Sequence, residues 1–308
     1  MKHYSNGKLL LTGEYVVLDG AKSLAVPTKF GQDLIVKPIK EPELIWASFT
    51  NEGNCWFEAS FSLPKLRLTS ATFDSDKEGG SEMIAETLLN ILQEVKKLNP
   101  EFLNTKGGFL VKTNLTFPQN WGLGSSSTLI NNIASWGNVN AFTLLWNAFS
   151  GSGYDIACAQ NDSPIFYQLE NKKPIVESVN FNPSFKDELF FVHLNQKQNS
   201  RDGIAQYRKN NTNIQHEINL ISDLSVAFSK ATSINNLDLI ITEHENIVSS
   251  IVKTEPVKKR LFSDYFGAIK SLGAWGGDFI LATGNENTTA YFKEKGFETI
   301  LPYKEMIL

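Results

Sequence analysis

The sequence predicts an α+β fold in two domains, and three observations carry that expectation. Strand-like and helical segments are mixed in both halves of the chain. The 308 residues are about twice a typical domain of roughly 150. Composition shifts near residues 170–188, so the expected domains are 1–180 and 181–308.

Taken in order, the chain opens β-rich. Lys8–Leu18 is a run of β-branched and aliphatic residues, followed by the hairpin signal Asp19-Gly20. Ser23–Pro27 and Asp33–Pro38 read as further strands, and Trp46–Ser62 as a strand pair around Asn51–Asn54. The first helix is Ser81–Leu98: Ile84, Leu88, Ile91, Leu92, Val95 and Leu98 recur at helical spacing, and Pro100 stops it. Phe109–Leu115 is a strand, and short helices follow near Ser126–Trp136 and Val139–Phe149. In the second part, Leu189–Leu194 is a buried-strand pattern. Helical stripes run from Ile214 to Phe228 and from Leu237 to Ile251. A third helix is expected over Pro256–Ser271, then a strand over Phe279–Thr283.

The charge excludes one class of function. With 29 basic and 33 acidic residues the net charge is −4, unlike the basic profile of a generic nucleic-acid binder. Arginine is scarce, being confined to Arg67, Arg201, Arg208 and Arg260. Cys55 and Cys158 are too few for a disulfide framework or a four-thiolate metal site. Met1–Lys8 lacks the apolar run of a signal peptide, and no stretch is long and apolar enough to span a bilayer. The expectation is a cytoplasmic protein, monomer or homodimer, that acts on a small molecule and binds neither nucleic acid nor membrane.

The most informative stretch is Pro118–Ser127, Pro-Gln-Asn-Trp-Gly-Leu-Gly-Ser-Ser-Ser, between a strand and a helix. Phosphate binding needs that order: glycines let backbone N–H groups approach anionic oxygens, and a helix start presents unpaired donors and a positive dipole end. Serine hydroxyls add donors and can ligate a Mg²⁺ ion riding on the phosphates. The same composition also suits a plain connector with Ser126 or Ser127 as helix cap. No Gly-Lys-Ser/Thr closes the loop, so it is not a Walker loop.

Three weaker features accompany it. Gly273-Ala274-Trp275-Gly276-Gly277-Asp278 lies before a strand and is equally a tight turn. In Gly151–Ala157 a single carboxylate, Asp155, opens an apolar helix, either as a cap or to orient or deprotonate an attacking hydroxyl. Gly7-Lys8 precedes Gly13-Glu14-Tyr15; the lysine is either solvated or a stabiliser of transferred charge.

Together and in this order, the features resemble the motifs of the GHMP kinases. The first motif is matched by Gly7-Lys8 through Gly13-Glu14, the second by Pro118–Ser126, the third by Gly273–Asp278. Gly13-Glu14-Tyr15 and Gly151–Ala157 are most similar to the phosphomevalonate kinase branch, with the mevalonate kinase branch close. The resemblance implies a first domain like ribosomal protein S5 domain 2 and a second that is ferredoxin-like, with ATP between them. It implies ATP and Mg²⁺ as cofactors and phosphoryl transfer to phosphomevalonate or mevalonate as the activity. Gly122, Leu123, Gly124, Ser125, Ser126 and Ser127 would wrap the phosphates, with Ser126 and Ser127 near the metal. Asp155 and Lys8 would be catalytic. The acceptor would meet Glu14, Tyr15, Lys197, Ser200, Arg201, Gly273, Ala274, Gly276 and Gly277.

Two departures from the family pattern bear on this. No Asp or Glu lies between Ser127 and Asp155, where relatives often supply a metal ligand, and Trp275 stands where glycine is usual. They leave room for a chain that binds nucleotide or metabolite without turnover, or for a kinase of a sugar or another alcohol. His244, on an apolar helical stripe, reads as a satisfied buried histidine rather than a catalyst.

Overall fold

The structure is a computed structural model that describes residues 1–73, 80–196, 200–210, 213–275 and 277–308. The chain forms two compact units. One comprises Met1–Gly7, Phe30–Gln119 and Gly124–Gln160, and the other Lys8–Lys29, Asn120–Leu123 and Asn161–Leu308. Strands β1 (Lys2–Leu10) and β2 (Ser23–Ile39) run through both.

In the first unit the elements are β3 (Glu43–Phe49), β4 (Cys55–Ser62), β5 (Arg67–Phe73), α1 (Gly80–Leu98), β6 (Gly108–Leu115), α2 (Ser125–Gly137), α3 (Ala141–Ala148) and α4 (Tyr154–Ala159). The strand order is β5-β4-β3-β6-β2. β6 pairs antiparallel with β2 from Gln32↔Leu115 to Ile39↔Gly108, and parallel with β3. Leu34, Val36, Trp46 and Val111 from the strands share one apolar core with Leu88, Leu92, Ile130, Ile133 and Leu144 from the helices. Each such fully buried aliphatic side chain contributes about 1.5–3 kcal/mol. The start of α2 is pinned to β2: the Thr128 hydroxyl donates to Gln32 Oε1 at 2.7 Å, and the Asn132 amide to the Gln32 carbonyl at 2.9 Å. The loop ahead of α2 is therefore held from behind.

The second unit begins with the antiparallel pair β7 (Ile165–Glu170) and β8 (Lys173–Ser178), where β7 also pairs with Ser23–Ala25 of β2. It continues with β9 (Leu189–His193), α5 (Ser200–Asn210), α6 (Gln215–Ser229), α7 (Ile234–Val252), α8 (Val257–Leu261), β10 (Ile269–Ser271), β11 (Phe279–Thr283), α9 (Thr288–Glu294), β12 (Ile300–Pro302) and α10 (Tyr303–Met306). Its four-stranded antiparallel sheet has the order β10-β11-β9-β12. Val192, Ile269, Ile280 and Ala282 from this sheet share a core with Phe262, Tyr265 and Phe292. Mixed sheets and helices in both units make the α+β class a finding.

Three expectations differ. Ser23–Pro27 and Asp33–Pro38 are not separate strands but parts of the single strand β2. Lys8–Leu18 is not one strand, and Asp19-Gly20 makes no hairpin. β1 stops at Leu10, Gly13 takes φ 88° and Tyr15 φ 65°, and Val16–Asp19 forms one 3₁₀ turn closed by Gly20 at φ 90°. The apolar run reflects burial of Leu11, Val16 and Val17 rather than strand pairing. The helix expected over Pro256–Ser271 ends at Leu261. Phe262 and Tyr265 turn into the core instead, the Lys258 ammonium donates to the Gly267 carbonyl at 2.6 Å, and Ile269–Ser271 pairs with β11. Gly267 permits that pairing, because a Cβ there would sit 1.9 Å from the Thr283 carbonyl oxygen.

Candidate active site

The glycine-serine loop follows β6. Gln119–Trp121 makes a short 3₁₀ turn, and Gly122 and Gly124 then adopt left-handed φ of 65° and 89°. Helix α2 starts at Ser125 with Gly124 as its cap and no side chain capping it. Its first-turn N–H groups thus form an anion cradle at the positive end of a 13-residue helix. Ser126 is exposed, whereas Ser127 is buried and its hydroxyl donates to the Gly124 carbonyl at 2.9 Å. Of the two serines expected near a metal, Ser126 is the one open to a ligand.

The loop's first residues are held within the second unit. Lys8 donates its ammonium to the Gly122 carbonyl at 2.6 Å and its backbone N–H to the Leu123 carbonyl at 2.9 Å. On Gly122, a Cβ would fall 2.2 Å from the Asp278 carboxylate, so only glycine fits. Trp121 meets Phe279 edge-on at 5.5 Å, and His193 Nε2 donates to the Asn120 carbonyl at 3.1 Å. The first, second and third motifs thus meet at Gly122 through Lys8 and Asp278.

Around the first-motif turn, Glu14 is fully buried. Its Oε1 accepts from Lys270 Nζ at 2.6 Å, and Lys270 also lies 3.2 Å from Glu245. Ser271 donates to Glu245 at 2.6 Å, and the Gly13 N–H donates to His244 Nε2 at 3.0 Å. Burial pushes the Glu14 carboxyl up to about 7, against the pull of the Lys270 ammonium. Burial, with the Lys270 charge adding to it, holds His244 well below its ordinary value, so the imidazole is neutral. Because Nε2 accepts, the proton sits on Nδ1. His244 is buried as its stripe suggests but only half satisfied, because Nδ1 meets no hydrogen-bond partner among the described residues.

Tyr15 is half-buried and reaches the third motif: its hydroxyl donates to the Ala274 carbonyl at 3.0 Å. Its ring stacks on Tyr207 of α5 with centroids 5.6 Å apart, and burial pushes its hydroxyl up to about 12. Gly203 of α5 faces that hydroxyl closely enough that a Cβ would lie 2.4 Å away. Asp19 fixes the same helix through Tyr207 and Arg208, both at 2.5 Å. Ser200 and Arg201 open α5. Gly273, at φ 60°, and Gly277 belong to the same unit. Lys197 and Gly276 lie outside the described residues. Trp275 is buried, 4% exposed, so its indole is part of the protein interior.

Asp155 stands in the first turn of α4, in the same unit as Gly124–Ser127. Gly153 at φ 95° precedes the helix, and Asp155 Oδ1 accepts from the Ile156 N–H at 3.0 Å. Gln160 at the end of α4 donates to Asn131 of α2 at 2.9 Å, fixing α4 against the helix that carries the serines.

Sequence reasoning missed Lys270, Glu245 and the place of Asp278. The signal for Lys270 was a lysine directly before the Ser271–Ala274 turn, hidden by its assignment to a helix. Among the described residues, no three of His, Cys, Asp and Glu gather as a metal site, and no helix is long and apolar enough to cross a membrane.

No protein-family model and no curated protein sequence matches the chain. Solved structures do. A Methanococcus jannaschii mevalonate kinase superposes with a TM-score of 0.65 at 15% identity, over 98% of this chain and 96% of that one. A Streptococcus pneumoniae phosphomevalonate kinase, in complex with phosphomevalonate and AMPPNP, gives 0.65 at 16% identity, over 98% and 99%. A Lactococcus lactis galactokinase complexed with galactose gives 0.64 at 13% identity, over 96% and 88%. At such identities the likeness establishes a common fold across nearly the whole chain.

Proposed function

We propose that this chain, which has the fold of the GHMP kinases, is an ATP-dependent kinase of a small molecule, with phosphomevalonate or mevalonate as the acceptor. The observation that carries the proposal is the uncapped N-terminus of α2 behind two left-handed glycines, with the Lys8 ammonium on the Gly122 carbonyl. Backbone donors, a helix dipole and a cation around one loop suit a polyphosphate.

In this reading the phosphates of ATP rest on Gly122–Ser127. Mg²⁺ fits the donor set, since the exposed Ser126 hydroxyl is a hard oxygen ligand and Mg²⁺ needs few protein ligands when phosphates share it. When bound, it neutralises charge on the phosphoryl oxygens. Lys8 adds positive charge at the loop, and Asp155 orients or deprotonates the attacking group of the acceptor. Phosphoryl transfer asks for little beyond alignment and charge stabilisation.

The acceptor is assigned to the side of Tyr15 and Ala274, which a hydrogen bond joins. Arg201 is the arginine that the family resemblance assigns to an anionic acceptor. Arg201→Ala is expected to raise the KM for the acceptor at least tenfold and leave the KM for ATP unchanged.

The test is ADP release coupled to a reporter, with mevalonate, phosphomevalonate, homoserine and galactose each offered as acceptor. Turnover with one of the first two supports the proposal. Turnover with galactose alone replaces the acceptor and keeps the kinase. ATP binding without turnover on any acceptor overturns the catalytic reading.

A further inference from the structure

We infer that Asp278 is the carboxylate that holds the nucleotide's divalent cation at the phosphate loop. The inference rests on the proposed placement of ATP phosphates on Gly122–Ser127 and goes beyond it. The starting point is contact: the Asp278 carboxylate lies so close to Gly122 that a Cβ there would be 2.2 Å from its Cγ and its Oδ2. A negative group therefore abuts Gly122, the first glycine of the loop.

By itself that arrangement opposes a triphosphate, because like charges in a partly desolvated site repel. A divalent cation between them reverses the sign. Carboxylate and phosphate oxygens are both hard ligands, and Mg²⁺ is commonly held by one or two carboxylates together with substrate phosphates. A bound cation is then the largest local charge, and the carboxylate becomes attractive rather than repulsive.

Of the helices adjacent to the loop, α2 and α3 carry no carboxylate, and α4 carries Asp155, which the proposed function assigns to the acceptor. Residues 128–154, which include most of α2 and all of α3, contain no Asp or Glu. The absence of a three-residue cluster among the described residues also fits a cation shared with phosphate rather than caged by protein.

Asp278 is also rigidly placed. Gly277 before it is buried, Phe279 after it pairs with His193, and its own carbonyl accepts the Leu194 N–H at 2.9 Å. Lys8 grips the carbonyl of the same glycine, so a cation and an anion flank Gly122. Lysine would serve the phosphate oxygens directly, and Asp278 would serve them through the metal.

The experiment measures AMPPNP binding by calorimetry to the wild-type chain, Asp278→Asn and Asp278→Ser, each with excess Mg²⁺ and with EDTA. Mn²⁺ electron paramagnetic resonance in the presence of AMPPNP gives a second readout. In the wild type, Mg²⁺ should raise affinity at least tenfold. In both variants that enhancement should fall to less than threefold, while affinity in EDTA stays equal or rises because repulsion is gone. The protein-bound Mn²⁺–nucleotide signal should be lost with them. A variant that retains the wild-type enhancement overturns the inference. So does an equal loss of affinity with and without metal, the mark of a merely structural residue. Failure of the wild type to bind AMPPNP under either condition removes the placement of the phosphates, and this inference with it. Intact metal enhancement in the variants removes the inference alone.

Discussion

The ammonium of Lys270 lies 2.6 Å from Oε1 of Glu14, and neither side chain reaches solvent. Glu245, 3.2 Å from the same ammonium, gives one cation two carboxylates to balance. The cluster joins the Gly13–Tyr15 turn to the strand that leads into the third glycine motif, and His244 fastens the turn from α7. Glu14, expected from the motif to touch substrate, is thereby placed to hold the turn on which Tyr15 stands.

Removing the cation should expose the debt of two buried carboxylates. Lys270→Met is expected to destabilise the fold by about 3–5 kcal/mol, the scale for breaking a buried pair by removing one partner. Urea unfolding at pH 7 measures it. Glu14→Gln should lose less, since one carboxylate then still faces one ammonium. A Lys270→Met loss under 1 kcal/mol would show that the pair has no structural role.

Stability should also depend on pH in two opposed ways. The Glu14 carboxyl titrates at about 7 in the fold against 4.5 ordinarily, so between those values the native chain holds a proton that the unfolded chain has released. That contribution is full below pH 4.5 and is lost as pH rises through 7, amounting to about 3 kcal/mol. His244 works oppositely, because the unfolded chain binds a proton below about 6.5 that the native imidazole refuses. Lys270 acts on both groups, Glu245 on Glu14 and the Gly13 N–H on His244, and the two face each other with Glu14 Oε2 3.6 Å from His244 Nε2. Glu14→Gln should leave only a loss of stability on acidification, and His244→Gln only a loss on raising pH from 4.5 to 7. Parallel profiles for the two variants would refute the assignment.

What the sequence revealed and concealed follows from how each element is buried. α1 was legible because its one-sided stripe of Leu88, Leu92 and Val95 faces a sheet. β5 and β8 were not, since β5 packs only Leu68, Ala71 and Phe73 partly against the core and β8 is exposed at all but one residue. The loop at Gly122–Ser127 was legible because glycine and serine follow directly from its backbone geometry and donors. Lys270 was hidden, because a fully buried lysine in a three-residue strand has no periodicity, and its carboxylates come from residues 14 and 245. Tyr15 could be singled out by motif, but its φ of 65° and its stacking on Tyr207 depend on a helix nearly 200 residues away.

Glycine substitutions should separate strain from ligand binding. Gly122→Ala places a methyl group on the Asp278 carboxylate at a left-handed φ of 65°. It should weaken AMPPNP binding more than tenfold and lower stability by about 1–2 kcal/mol from the left-handed backbone alone. Gly53→Ala, also left-handed at φ 85° but with nothing within 4 Å of the new Cβ, is the control. It should show the backbone penalty and unchanged nucleotide affinity. Calorimetry and urea unfolding on both variants give the comparison, and equal nucleotide binding by the two would remove Gly122 from the phosphate site.

Asp155 gives the sharpest division between binding and chemistry. Its Oδ1 is oriented by the Ile156 N–H in the first turn of α4, and α4 is fixed to α2 through Gln160 and Asn131. Asparagine has the same shape and keeps an oxygen to accept that bond, so Asp155→Asn should fold and bind ATP as the wild type does. It cannot take a proton from an attacking group or stabilise one in transit. Turnover on the true acceptor should therefore fall by about 10²-fold or more, the scale for removing a positioned base. Because only the transfer step is touched, kcat should fall while the KM for ATP holds. A near-normal kcat would assign Asp155 to capping α4, and the base would have to be another group. An equal rise in the KM for ATP would place the carboxylate with the nucleotide instead.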